Sequence, residues 1–343
     1  MKRPGTGGRQ PGINMRRVFV IARTKYVPDA WGMPGFEYKH VEGPLRASGY
    51  LEDIKMWYTE NDGKDEGSIR KAIVDYRPDA LYICHQILSE PFSETFLRGI
   101  QAEGIPIVAC YFDPPDPRIG QVADFYSPWV VANLPMGTCG KQDYIASGNY
   151  LYPGLPFILP TYNSFAYVDI DVSFLGTIFA ERRPYIELMR SAGIRVFCKG
   201  GIENGSGRWL SYRQYLGYMS RSKITVNFSC YYTGMHSMRA RVLEAFHCST
   251  LLLEEENPVT ATFFEPWRDY IPFTKDTLVP LLREYLQDVS KRNKVRLQGH
   301  AALRTYMPRN FVQLLSSRVV TGNFSSGEVW NKEFYLAHLG EEL

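Results

Sequence analysis

The chain has 343 residues, with 39 Lys and Arg against 36 Asp and Glu, a formal net charge of +3 and an apolar share of 45%. That apolar content is too high, and that net charge too low, for a disordered chain, and the basic excess is far below that of a DNA-coating protein. The longest apolar runs, such as Val18–Ala22 and Leu251–Leu253, fall well short of the ~20 residues a membrane-spanning helix needs.

Residues 1–14 (MKRPGTGGRQPGIN) read as a flexible, basic, Gly/Pro-rich leader without the apolar stretch of a signal peptide. The ordered chain is expected to open on the buried strand Arg17-Val18-Phe19-Val20-Ile21-Ala22. A polar stretch with helical spacing leads to a second run, Ala80-Leu81-Tyr82-Ile83-Cys84. A helix follows near 91–102, with Phe92, Phe96, Leu97 and Ile100 on one face and Gly104 at its end, and then a third run, Pro106–Tyr111. Strand, helix, Gly, strand within about 30 residues is a βαβ unit, which implies a parallel sheet covered by helices.

The irregular stretch Tyr152–Tyr167, with Pro153, Pro156 and Pro160, marks a boundary, after which the same grammar restarts. Val172–Leu175 is a strand closed by the Gly176-Thr177 loop, and a helix with Pro184 in its first turn runs to Gly193. Arg195–Cys198 is a strand, and Tyr212, Tyr215, Leu216 and Met219 mark an amphipathic helix. Strand Ile224–Phe228, helix Met238–His247, strand Thr250–Leu253, the edge-like Ile271–Phe273 and helices near 277–288 and 290–305 complete the pattern. The expected architecture is α/β: an N-terminal Rossmann-like domain (15–160) and a C-terminal one (168–320), both doubly wound and facing each other across a cleft. Trp330, Phe334, Tyr335 and Leu339 put a further helix in 323–343, expected to cross back to the first domain.

The six cysteines form no CxxC pair and mostly follow apolar runs, so they read as reduced, buried groups of a cytoplasmic protein rather than zinc ligands. Neither a GxGxxG after a strand nor a P-loop nor a GxSxG elbow is present, which removes the phosphate cradle of a dehydrogenase or P-loop enzyme and the nucleophile of a hydrolase. The informative run is Asn227–Glu256, where a strand passes through a Gly-containing loop into a helix. A helix N-terminus attracts anions, yet Arg239 and Arg241 fall in this first turn, where their charge opposes the helix dipole. An anion held between them and the helix end would account for both. Glu244, one turn on, could accept hydrogen bonds from ribose hydroxyls. An ordinary surface turn with an Arg–Glu pair fits the same residues.

Met238-Arg239-Ala240-Arg241-Val242-Leu243-Glu244-Ala245 resembles the "MRxFEA" stretch of the CgeB-like, spore-maturation-type glycosyltransferases, members of the glycosyltransferase group 1 superfamily with the GT-B fold. Asp171–Thr177 followed by Arg182 and Arg183 resembles that family's "DVSFVG…R", and Phe264–Phe273 its "LFEPGKDYIPF". The resemblance implies transfer of a sugar from a UDP-, GDP- or TDP-sugar, a substrate rather than a cofactor, with no metal and retention of configuration. It implies that Gly176 and Thr177 approach the donor phosphates, that Arg182 or Arg183, Lys199 and Arg241 neutralise the leaving diphosphate, and that Glu244 holds the ribose. Two positions depart from the family pattern: His236 replaces the first Glu of its E-x7-E, and Ser249 replaces a glycine, a change expected to adjust packing only.

On the acceptor side, Asp113 and Asp116 in YFDPPDP follow a strand at the edge where ligands bind, and could orient or deprotonate a hydroxyl, or serve only as turn formers. His85 has the same positional argument, and His236 could contact the donor sugar. Glycan, protein, small molecule and modified nucleic-acid base are all open as acceptors. A non-catalytic scaffold, a sugar phosphorylase and an epimerase of similar fold are the alternatives. The aromatic share of 14% is concentrated in part at the expected hinge and donor loop, at Tyr144, Tyr150, Tyr152, Tyr162, Tyr167 and Tyr231-Tyr232.

Overall fold

The computed structural model describes residues 15–24, 38–85, 90–112, 117–137, 151–153, 168–199, 210–229, 236–323 and 327–339. Asp113, Asp116, Tyr144, Tyr150, Tyr162, Tyr167 and Tyr231-Tyr232 lie outside these residues.

The N-terminal half runs β1 (Arg17–Ala22), α1 (Gly43–Ala47), β2 (Asp53–Tyr58), α2 (Thr59–Asp62), α3 (Glu66–Tyr76), β3 (Ala80–His85), α4 (Glu94–Ala102), β4 (Ile107–Tyr111), α5 (Pro117–Tyr126), β5 (Ala132–Pro135) and β6 (Leu151–Tyr152). β3 and β4 are buried along their whole length, the mark of parallel strands covered on both faces. Asp65 and Ser93 cap α3 and α4, accepting the Ser68 and Phe96 backbone N–H groups. β2 is absent from the apolar pattern of the sequence because it is an edge strand, whose Asp53 and Lys55 face solvent in alternation with buried Ile54.

The C-terminal half runs β7 (Ile170–Leu175), α6 (Arg183–Ser191), β8 (Val196–Lys199), α7 (Tyr212–Ser220), β9 (Ser222–Asn227), α8 (Ala240–His247), β10 (Leu251–Glu255), α9 (Pro258–Phe263), β11 (Ile271–Phe273), α10 (Leu278–Gln287) and α11 (Val289–Ala302). Ser211 and Gln214 close a reciprocal capping box on α7. The sheets are ordered β2-β1-β3-β4-β5 and β11-β10-β9-β7-β8, every pair parallel. Counted from its own first strand, each sheet has the order 2-1-3-4-5, so the two halves repeat one topology.

The chain then returns. α12 (Pro308–Thr321) packs on α1, and Ser316 Oγ accepts the Met15 N–H at 3.1 Å. β12 (Glu328–Val329) pairs in parallel with β6, and α13 (Lys332–Leu339) lies against α12. Trp330, fully buried, sits among Phe311, Phe334 and Tyr335. A second aromatic group, Phe174, Tyr185, Phe228 and Phe273, packs inside the C-terminal domain. The aromatic residues the structure describes are therefore largely core. No described helix is long and apolar enough to cross a membrane.

Ser249 ends α8 in the left-handed region, φ +49°, as the C′ residue of a Schellman motif: its N–H reaches Phe246 O and the Thr250 N–H reaches Ala245 O. The change from the family's glycine is thus a matter of backbone conformation, not only of packing. Gly299 in α11 has no room for a Cβ, which would collide with the Asp269 carbonyl and lie 2.7 Å from the Phe246 ring.

Candidate functional site

Open parallel sheets bind ligands beyond the carboxyl ends of their strands, where the strand order reverses. The order 2-1-3-4-5 puts that point between β1 and β3 in the first half and between β7 and β9 in the second. The carboxyl ends of the two sheets meet: the Met238 N–H, just before α8, donates to the Gly137 carbonyl, just after β5, at 2.8 Å.

At the β7/β9 crevice, Gly176 follows β7 with φ +153°, and a Cβ there would collide with Arg241 Nη2. Only glycine lets the guanidinium come this close to the turn. Arg241 rises from the first turn of α8, donates through Nη1 to Asn227 Oδ1 at the end of β9, and lies 5.2 Å from the Phe174 ring centre. Its Nε is buried with no partner among the described residues. Arg182 donates to the Thr177 carbonyl at 2.8 Å and lies over Phe179 and Phe174. Loss of solvent, then the charges of Arg241 and Arg239, push its guanidinium down to about 10. Arg239 is the N-cap of α8 and supplies no side-chain cap, and the first turn has no acidic residue. Three arginines therefore gather at a positive helix end, with Glu181 and Glu255 as partial counter-charges to Arg182.

Behind Arg241, on β10, Glu254 is fully buried. Its carboxylate accepts from Asn227 Nδ2 at 2.7 Å, from Asn257 Nδ2 and Thr260 Oγ1 at 3.3 Å each, and from Ser229 Oγ. Burial pushes it up to about 7 in spite of these donors.

The other candidates scatter. Glu244 is buried on α8, its two oxygens taken by the hydroxyls of Tyr212 at 3.1 Å and Tyr215 at 2.8 Å, so both of the groups expected to meet a ribose are engaged within the protein. Arg183 is exposed at the start of α6. Lys199 is exposed at the end of β8, with its ammonium 3.3 Å from Tyr218 Oη. His236 is half-buried, and its Nδ1 has no partner among the described residues. Asn227 and Glu254 were not among the residues the sequence singled out; the available signal was a polar residue at the carboxyl end of an apolar strand, in ITVN and LLLE.

The β1/β3 crevice holds a cavity of about 250 Å³ lined in part by Arg23, Lys64, His85 and Glu90. His85 Nε2 lies 2.6 Å from Tyr126 Oη, which also accepts the Phe92 N–H at 2.9 Å. Burial holds His85 down at about 4, hence neutral at pH 7, and its Nδ1 has no partner among the described residues. Among the described residues no three His, Cys, Asp or Glu side chains converge as a metal site requires.

Residues 181–315 match the family described as "Glycosyl transferase-like". No curated protein sequence matches the chain. Among solved structures, Anabaena Alr3699/HepE in complex with UDP-glucose aligns over 90% of this chain and 100% of its own at 8% identity and a TM-score of 0.59. The same protein with UDP and glucose gives 0.61 at 9% identity and the same coverage. Sucrose-phosphate synthase from Thermosynechococcus elongatus aligns over 89% of this chain and 98% of its own at 10% identity, with a TM-score of 0.60. The molecule shares the GT-B fold of these structures, and its residues 181–315 match the glycosyl transferase-like family.

Proposed function

We propose that the protein is a glycosyltransferase that seats a nucleoside-diphosphate sugar at the β7/β9 crevice and transfers the sugar to an acceptor bound on the N-terminal domain. The observation that carries this reading is the convergence of Arg182, Arg239 and Arg241 on the uncapped start of α8, over a glycine turn. As the bond between the sugar and the β-phosphate breaks, charge grows on the diphosphate, and fixed cations and N–H dipoles stabilise it without reorganisation. Three arginines supply the positive charge that a divalent ion supplies in other transferases, so the reading is metal-independent. Retention of configuration and membership of the CgeB-like subfamily rest on the sequence motifs. UDP-glucose is the first donor to test, because it is bound by the similar Anabaena protein.

The cavity beside His85 is the proposed acceptor entrance, with Asp113, two residues after β4 in the sequence, as the candidate to orient the acceptor hydroxyl. A glycan, protein, small molecule or modified base are the acceptor classes to screen, and a cytoplasmic setting fits the six cysteines. Glu244 reaches a ribose in this scheme only by exchanging a tyrosine hydroxyl for a ribose hydroxyl. Lys199 and Arg183, exposed beside the crevice, join the site on donor binding.

Titration with UDP, GDP and TDP and their sugars tests the reading. The wild type binds at least one of them, and Arg241→Ala weakens that binding by about 10–100-fold, the range for a charge-assisted hydrogen bond. A wild type that binds none of them sinks the proposal. His236 in place of an expected Glu favours a second reading, a non-catalytic binding protein; binding without turnover across the acceptor classes would select it.

A further inference from the structure

We propose that Glu254 is a positioning residue that aims Arg241 at the donor diphosphate by fixing the side-chain amide of Asn227. The inference rests on the donor site above and adds residues to it. A guanidinium can only donate hydrogen bonds and an ionised carboxylate, the form Glu254 takes above about pH 7, can only accept them, whereas an amide does one at each end. Asn227 stands between the two: its Oδ1 accepts from Arg241 Nη1, and its Nδ2 donates to Glu254 Oε2 at 2.7 Å and to Ser229 Oγ at 3.0 Å. Chemistry at both ends of this relay therefore permits one amide orientation and disfavours the flipped one, which would set Nδ2 against the guanidinium.

Glu254 is itself immobilised. Ser229 Oγ and Asn227 approach from the end of β9, Asn257 from the loop before α9, and Thr260 from α9. Asn257 also donates to the Ser237 carbonyl at 3.1 Å, which ties the network to the segment leading into α8. All of these residues are buried, so the network is dry and its geometry is set by packing. On the far side of the relay Arg241 meets Gly176 and the Phe174 ring, and its Nε has no partner among the described residues. An arginine held by Asn227, Tyr215 and the Gly176 turn, with one buried N–H still unpartnered among the described residues, is pre-arranged to receive an oxyanion, which lowers the ordering cost of binding.

The test is a double-mutant cycle on nucleotide affinity above about pH 8, where Glu254 is ionised, with UDP, GDP and TDP as probes, in the full chain, with folding followed by circular dichroism and thermal unfolding. Glu254→Gln is expected to weaken binding about tenfold in the wild-type background and not at all in the Arg241→Ala background. Equal weakening in both backgrounds, or none in the first, overturns the relay. The swapped pair Asn227→Asp with Glu254→Gln keeps the net charge and the Arg241–227–254 relay, with the 227–254 bond reversed, while the Ser229 hydroxyl turns its proton from residue 254 to residue 227. It is expected to bind within about threefold of the wild type, and affinity as low as that of Arg241→Ala overturns the proposal even if Glu254→Gln alone does not fold. Absence of nucleotide binding by the wild type would instead strike the donor site itself, and the relay with it.

Discussion

Ser249 holds a backbone conformation that costs an L-residue about 1–2 kcal/mol, while glycine's extra freedom in the unfolded chain returns ~0.5–1 kcal/mol of that. Ser249→Gly is therefore expected to stabilise the protein by about 0.5–1 kcal/mol, read as a shift of the urea midpoint at unchanged slope. Trp267 is in the same conformation, φ +64°, but about two fifths of it is buried, so in Trp267→Gly the lost apolar burial offsets the backbone gain. At this scale the site was half legible. Gly176, Arg182 and Arg241 carry motif spacing and meet in space. Asn227 and Glu254 escaped because a polar residue closing an apolar strand is, in one dimension, indistinguishable from the start of a loop. Glu244 was legible as a residue, but its two tyrosine partners come from α7, 29 and 32 positions away.

Among the elements, α11 is the one whose seat depends on a single missing side chain. Gly299 lets it press against the Asp269 carbonyl and the Phe246 ring of α8. Gly299→Ala is expected to destabilise the protein by about 1–3 kcal/mol in spite of alanine's better helix propensity, because backbone and ring must both move. Denaturant unfolding measures this, and a neutral or stabilising result would mean that α11 slides freely. Since α8 carries Arg241, the same variant should also weaken nucleotide binding. The central strands were legible as apolar runs, whereas β2 and β5 were not: β2 is an edge strand with solvent-facing Asp53 and Lys55, and β5, though buried, is only four residues long and carries Asn133 and Pro135.

Across the whole molecule, two buried groups give opposite pH dependences of stability. Glu254 is raised from 4.5 to about 7, so the native state holds a proton the unfolded chain has lost, and stability falls as pH rises from about 4.5 to 7. Asp269, raised by burial, adds to that trend. His85 is lowered from 6.5 to about 4, so its contribution is complete above 6.5 and is lost as pH falls toward 4. Each is on the order of a few kcal/mol, and the two largely offset between about pH 4.5 and 6.5. Unfolding free energies across that window should therefore vary less for the wild type than for either single variant. Glu254→Gln should become more stable with rising pH and His85→Phe less stable. Parallel profiles for all three would refute the assignment. The two-domain plan was legible from the repeated βαβ grammar, but the identity of strand order in both sheets was not, because each order is set by which helix crosses which face.

The pairing of β6 with β12 has a consequence for how the halves hold together. β6 lies ahead of the C-terminal domain and β12 after it, so the chain is stitched to itself on both sides of that domain, with α12 docked on α1 beside the seam. Connectivity through the peptide bond is then redundant: a chain severed between residues 153 and 168 keeps the interface that joins its pieces. Residues 1–160 and 161–343, produced together as separate polypeptides, are expected to co-purify as a one-to-one complex, and disruption of the α12–α1 contact should release them.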